Sequence, residues 1–264
     1  MYGVTHLSQI PLRKEPTHCA EMVSQLLFGD LYKVIEERED WLRVENHDDR
    51  YEGWICRKVF NQIVVEDVEE YLQTPKYMVK DWLLFINEFE TNITFPIFIG
   101  SQFPYPEKGL LILGNAIFAI QLPEDRQYNA VENLSQQQVS MLRFASSYLN
   151  APYLWGGKSP AGIDCSGFTQ LIYKSVGLLL PRDASQQAKE GRVVEAMAET
   201  QVGDLAFFQN EEGDITHVGM ICGAGKIIHV SGQVRIEKID EAGILSSGTG
   251  KYTHSLRFIR RLLG

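Results

Sequence analysis

Across the first 60 or so residues, short apolar runs alternate with turn residues. LYKVIEE, DWLRVEN and EGWICRKV place hydrophobic and polar side chains in near-strict alternation, the period of half-buried strands. This predicts a small all-β unit over residues 1–64. EMVSQLLFGD fits two readings, a strand or a helical turn carrying Met22, Val23, Leu26 and Leu27 that Gly29 stops. A second, less regular β-rich segment is expected over 65–128, where FINEFETNITFPIFIGSQFPYPEKG runs into LLILGNAIFAIQL. No sequence repeat relates the two.

After Pro123 the period changes. Ser135 is placed to cap a helix in which Val139, Leu142, Ala145 and Tyr148 recur at helical spacing, and Asn150-Ala-Pro ends it. A second helix is expected from Asp164 to Ser175, with Phe168, Leu171 and Ile172 facing the core and Gly177 as terminator. The β-type runs GDLAFF, HVGMIC, KIIHVSG and QVRIEKI follow. Helices first and an antiparallel meander afterwards define an α+β domain over 129–264. A chain of 264 residues is long enough for about two units, although one domain with large insertions also fits.

Composition narrows the function classes. The chain is 44% hydrophobic, has no low-complexity tract and carries a net charge of −9. No basic cluster is available to displace the counterions of a nucleic acid, so that partner is disfavoured and an amine-bearing ligand suits the charge better. The start, MYGVTHLSQIPLRKEP, lacks a signal-peptide pattern, which predicts a cytoplasmic protein. A native signal peptide removed ahead of it would instead place the protein in the periplasm or outside the cell. The apolar run Leu110–Leu122 is interrupted by Asn115 and is too short to span a bilayer. The 4 cysteines form no C-x-x-C pair, and Cys19, Cys56 and Cys222 read as small buried side chains.

Cys165, in GIDCSGF, is either a nucleophile or one more small hydrophobe. If Asp164 starts the helix, Cys165 sits in the first turn, where unpaired N–H groups and the helix dipole favour a thiolate. HVGMIC and KIIHVS flank Gly223-Ala224-Gly225, a natural three-residue hairpin connection. Pairing Cys222 with Lys226 sets Gly219 opposite His229 and His217 opposite Ser231. One face then carries His217, Gly219, His229 and Ser231, and the other Val218, Met220, Ile228 and Val230. The histidines become diagonal neighbours, about 7–8 Å apart at the backbone and within ring reach. They could serve as a base and its orienting partner beside a nucleophile, or as two metal ligands lacking a third at suitable spacing.

The ordered blocks YLWGG, DCSGF, PRDASQQ, GDLAFF, HVGM and IHVSG resemble the NlpC-type cell-wall peptidases, which are papain-like cysteine hydrolases. The likeness covers roughly residues 130–264. EMVSQLLFGD, DWLRV and DRYEGWI resemble the bacterial SH3-like domain of one branch of that family. The resemblance implies a papain-like catalytic domain behind one or more SH3-like domains, with Cys165 as nucleophile, His217 as base and His229 as the residue orienting it. It further implies cleavage of the γ-D-glutamyl–diamino acid bond (lysine or meso-diaminopimelate) in peptidoglycan-derived peptides whose N-terminal L-Ala is free. Tyr51, Glu21 and Asp164 would hold the free amine, and Tyr153, Trp155, Ser166 and Asp183 would line the cleft. Ala184 stands where related sequences often have serine, and Thr216 where a histidine can occur. No cofactor or metal is required by this chemistry. Rival readings on the same residues are an endopeptidase or amidase acting on intact peptidoglycan, or an inert wall-peptide binding protein.

Overall fold

The computed structural model describes residues 1–123 and 134–263, with the side chains of Leu134 and Ser135 excepted. By contacts the chain forms two units, one of Met1–Tyr128 with Trp155–Pro160 and one of Asn129–Leu154 with Ala161–Gly264. The expected boundary at residue 128 lies outside the described residues. Trp155–Pro160, expected inside the 129–264 domain, instead packs with the first unit. A side chain at Gly156 (φ +74°) would strike the Met22 carbonyl oxygen at 2.4 Å, and the Lys158 N–H donates to Gln25 Oε1 at 2.7 Å.

The first unit opens with a seven-stranded sheet in the order Met22–Leu27, Gln9–Arg13, Glu52–Cys56, Trp41–Asn46, Leu31–Arg38, Tyr2–Val4, Gln62–Ile63. The ambiguous EMVSQLL stretch is therefore a strand. Ser24 to Leu27 are all buried, so the strand is covered on both faces and shows no alternation in sequence. Ile10, Leu12, Leu26, Tyr32, Leu42, Val44 and Ile55 form the core beneath it.

A second core joins Val4, Phe28 and Ile63 to Ile86, Ile97, Phe103 and Phe118, so the segments expected over 1–64 and 65–128 share hydrophobic side chains. Residues 65–128 are not β alone, because a helix spans Val65–Gln73. Val68 and Tyr71 face that core, and the Tyr71 hydroxyl donates to the Gly29 carbonyl at 2.5 Å. A four-stranded sheet follows in the order Ile93–Phe98, Leu83–Glu88, Ala116–Ala119, Leu110–Leu113.

In the second unit a helix spans Leu134–Ser146. Any capping role of the Ser135 side chain lies outside the described residues. Its buried side is Met141, Phe144 and Ala145, continued by Tyr148 in the turn that follows, whereas Val139 is 57% exposed. Steps of three residues slip by roughly 60° each around a helix, so two steps already carry Val139 about 120° away from Ala145. The next helix, Cys165–Lys174, is buried throughout and starts at Asp164, as expected. The Gly177 N–H closes it on the Lys174 carbonyl, with Gly177 at φ +82°.

The expected meander is a closed barrel. Gly243–Leu245 pairs with both Gln233–Asp240 and Tyr252–Arg261, so the sheet returns on itself. Its enclosed face holds Ala206, Phe208, Ile221, Ile227, Ile239, Ile244 and Ile259. The outward side chains Val218, Met220, Ile228 and Val230 are also buried. Helix Cys165–Lys174 packs against strands Ile215–Gly223 and Lys226–Ser231.

Cys19 is exposed, and Cys56 and Cys222 are half-buried, contrary to expectation. Cys19 lies in the loop after the second strand, Cys56 ends a strand, and Cys222 lies at an irregularity in the hairpin.

Candidate active site

The hairpin sets the geometry. Gly219 faces His229, as the alternation predicts, but the tip differs: Gly223, not Cys222, pairs with Lys226. A bulge at Cys222 absorbs the extra residue, leaving Ala224-Gly225 as a two-residue turn and the upstream register intact. Gly219 leaves room between the histidines, since a Cβ there would lie 2.8 Å from His229 Cβ.

Both histidines project into the barrel. His217 Nε2 lies 3.0 Å from His229 Nδ1, and His229 Nε2 lies 3.0 Å from Glu237 Oε2. Glu237 Oε1 accepts from the Ser247 N–H at 3.0 Å and from the Ser247 hydroxyl at 3.3 Å. The His254 ring lies against His217, with centroids 4.3 Å apart. Bonding His217 through Nε2 leaves its Nδ1 for a thiol. The ring nitrogens of His217 and His229 face each other and not a common point, which disfavours the two-ligand metal reading.

Cys165 opens its helix behind Asp164, and the backbone N–H groups of Val218 and Ser166 lie close enough to its sulfur to favour the thiolate. Val218 follows His217 in the chain, so this contact brings the cysteine to the histidine strand. Asp164 Oδ1 accepts from the Gly167 N–H at 2.7 Å. Its carboxylate is also gripped by Arg182, at 3.0 Å to Oδ1 and 2.5 Å to Oδ2, and Arg182 donates to Ser166 Oγ at 2.9 Å. Arg182 is 1% exposed.

The remaining expected residues fall in several places. Tyr153 is close enough to Cys165, Asp164 and Arg182 for their charges to act on its phenol. Asp183 caps the short helix Ala184–Gln187. In the first unit, Trp155 Nε1 donates to Glu21 Oε1 at 2.7 Å, and Lys14 pairs with Glu21 at 3.2 Å. Tyr51 packs on the first unit's core. Sequence reasoning missed Glu237, Arg182 and His254. Extending the hairpin register one strand further would have found Glu237, because His229 faces Arg235 and Glu237 is then its diagonal neighbour on the same face.

Comparison with known proteins bears on this arrangement. Residues 150–252 match the NlpC/P60 family, and residues 12–58 match the bacterial dipeptidyl-peptidase SH3 domain. A γ-D-glutamyl-L-lysine dipeptidyl-peptidase of Bacillus subtilis is 32% identical over 218 residues, 78% of this chain and 71% of that protein. Dipeptidyl-peptidase 6 of Lysinibacillus sphaericus is 30% identical over 260 residues, 87% of this chain and 89% of that one. The chain belongs to the NlpC/P60 family. It is a cysteine peptidase of the α+β, papain-like fold, carrying a bacterial SH3 domain ahead of its NlpC/P60 domain. A crystal structure of an NlpC/P60 family protein from Bacillus cereus shares the fold over the full length of both chains, with a TM-score of 0.82 at 21% identity. An NlpC/P60 endopeptidase of Photobacterium damselae does so with a TM-score of 0.69 at 15% identity, over 97% of this chain and 70% of that one.

In this NlpC/P60 peptidase the resting charges differ from the thiolate expected at a helix start. Burial, reinforced by the Asp164 charge, pushes the Cys165 thiol up to about 11, against the pull of the Val218 and Ser166 N–H groups and of Arg182. Burial holds His217 well below the usual histidine range and His229 down to about 4, the latter despite Glu237. Tyr153 is raised to about 12, first by burial and then by Cys165 and Asp164. Cys165 and His217 thus both favour the neutral form. Among the described residues no helix is long and apolar enough to cross a membrane, and no group of three or more His, Cys, Asp or Glu is arranged to hold a metal ion.

Proposed function

We propose that the enzyme hydrolyses the γ-D-glutamyl–diamino acid bond of peptidoglycan-derived peptides that begin with a free L-Ala, releasing L-Ala-γ-D-Glu. The observation that carries this reading is a buried thiol at a helix start, beside the backbone N–H of Val218, with the ring of the adjacent His217 tied to His229 and His229 in turn to Glu237. The relatives named γ-D-glutamyl-L-lysine dipeptidyl-peptidase support the choice of bond.

In this reading the Cys165 proton passes to His217 Nδ1 as the sulfur attacks the γ-carbonyl carbon. Backbone N–H groups at the helix start stabilise the oxyanion. The tetrahedral adduct collapses, the C–N bond breaks, and the imidazolium gives its proton to the departing α-amine of the diamino acid. Neutral His217 then draws a proton from water, whose oxygen attacks the thioester and frees the dipeptide acid and the thiol. His229 holds the ring of His217 throughout.

Preference for a free amine is the role assigned to Glu21, Tyr51 and Asp164. Both carboxylates already carry a cation, Arg182 on buried Asp164 and Lys14 on exposed Glu21, and the exposed Lys14 pair is the weaker of the two for an ammonium to displace. A peptide still acylated on a glycan lacks that charge, so the enzyme would act on released peptides in the cytoplasm. The test compares L-Ala-γ-D-Glu-L-Lys with its N-acetylated form, using Cys165→Ala as the blank. Cleavage of the free peptide alone is expected, with Tyr51→Ala narrowing the difference. Equal cleavage of both peptides refutes the amine selection, and cleavage of neither refutes the assigned bond.

A further inference from the structure

The proposed base needs one particular tautomer, and this rests on the function proposed above. His217 can take the thiol proton at Nδ1 only if its ring proton sits on Nε2. Two neutral imidazoles bonded Nε2 to Nδ1 can carry their protons in either of two directions. Something outside the pair must choose.

We propose that Glu237 is a positioning residue that sets the tautomer of both histidines from the far end of the hydrogen-bond chain. Glu237 Oε1 takes the backbone N–H of Ser247 at 3.0 Å and its hydroxyl at 3.3 Å, so that end of the carboxylate acts as an acceptor. Oε2 faces His229 Nε2 at 3.0 Å. An ionised carboxylate has no proton to give, so His229 must donate from Nε2 and accept at Nδ1. His217 must then donate from Nε2 across 3.0 Å, which leaves Nδ1 bare. Two neighbours favour ionised Glu237 or pack the pair: Arg235 Nη1 lies 3.9 Å from Oε1, and the His254 ring covers His217 and His229. The Glu237 carboxyl is held below its usual range: burial alone would raise it, and the Ser247 and His229 bonds outweigh that.

Glu237→Gln inverts the chain without changing its shape. The Ser247 N–H requires the amide oxygen on its side, so the amide NH₂ is turned toward His229 Nε2. His229 then accepts at Nε2, donates from Nδ1 to His217 Nε2, and forces the His217 proton onto Nδ1, the wrong place for a base.

Imidazole ¹⁵N NMR on the resting enzyme reads this directly. Wild type is expected to show His217 and His229 protonated at Nε2, and Glu237→Gln to show both protonated at Nδ1. With L-Ala-γ-D-Glu-L-Lys, kcat of the variant should fall by roughly 10²–10⁴-fold with little change in KM, the size of effect a wrong tautomer produces. The proposal is overturned if wild-type His217 carries its proton on Nδ1. It is equally overturned if Glu237→Gln keeps the wild-type tautomers, or if it loses less than about tenfold in kcat. If the variant does not fold, the wild-type spectrum decides. Since that spectrum needs no substrate, failure of wild type to cleave the peptide counts against the proposed function and leaves this inference to be judged separately.

Discussion

Arg182→Met removes three charge-assisted bonds, at 2.5, 3.0 and 2.9 Å, that hold Asp164 and Ser166. Methionine fills much of the volume of the arginine stem, so the main loss is electrostatic. Asp164 keeps the Gly167 N–H and the Ser166 hydroxyl but loses its counter-charge in a site where the two side chains are 1% and 7% exposed. Breaking a pair this buried by removing one partner costs about 3–5 kcal/mol. Adding Asp164→Asn removes the stranded charge, so the double variant should be more stable than the sum of the singles implies, by at least about 1 kcal/mol. The assay is native-state hydrogen exchange of amides in helix Cys165–Lys174, which Asp164 caps. A cost below about 1 kcal/mol for Arg182→Met, or strict additivity, would refute the view that Arg182 is the charge partner of Asp164.

Gly219→Ala should lower stability by about 1–3 kcal/mol through overpacking, because its Cβ meets Ile227 Cδ1 at 2.7 Å and His229 Cβ at 2.8 Å. It should also cut kcat by displacing His229, and a fully active variant of wild-type stability contradicts the assigned geometry. Stability should also depend on pH through His229, held down to about 4 from 6.5 by burial. Below pH 6.5 the unfolded chain binds a proton that the folded chain refuses, so stability is full above 6.5 and is lost as pH falls toward about 4. The His229 share of the loss is about 3 kcal/mol, and His217 and His254, also lowered by burial, add to it in the same direction. Urea denaturation of wild type across that window checks it, and a flat profile refutes the assignment.

How much of the site could be read in advance depended on whether its residues signal locally. Asp164 and Cys165 did, because a capping acid ahead of an apolar stripe at 168, 171 and 172 fixes a helix start. His217 and His229 did, because strand alternation holds over one short hairpin. Glu237 did not, since it meets His229 only when a third strand is aligned on the hairpin. Arg182 was hidden for another reason: a lone arginine in PRDASQQ reads as solvated, and only tertiary burial turns it into a partner of Asp164. The helix Val65–Gln73 was passed over because it is short and acidic, with Val68 and Tyr71 alone marking its buried side. The Leu134–Ser146 helix was recognised while its buried stripe was misplaced, because a strict three-residue repeat drifts off the 3.6-residue turn.

The bulge at Cys222 makes the hairpin tip forgiving of changes in length. Ile221 already pairs with Ile227 and Gly223 with Lys226, so excising Cys222 would leave an ordinary two-residue hairpin with the strands still in phase. Insertions there would be absorbed in the same way. A reporter group or short tag can therefore be carried at this corner while the spacing of the two imidazoles stays as it is, and descendants of this chain are free to vary the tip without retuning the chemistry.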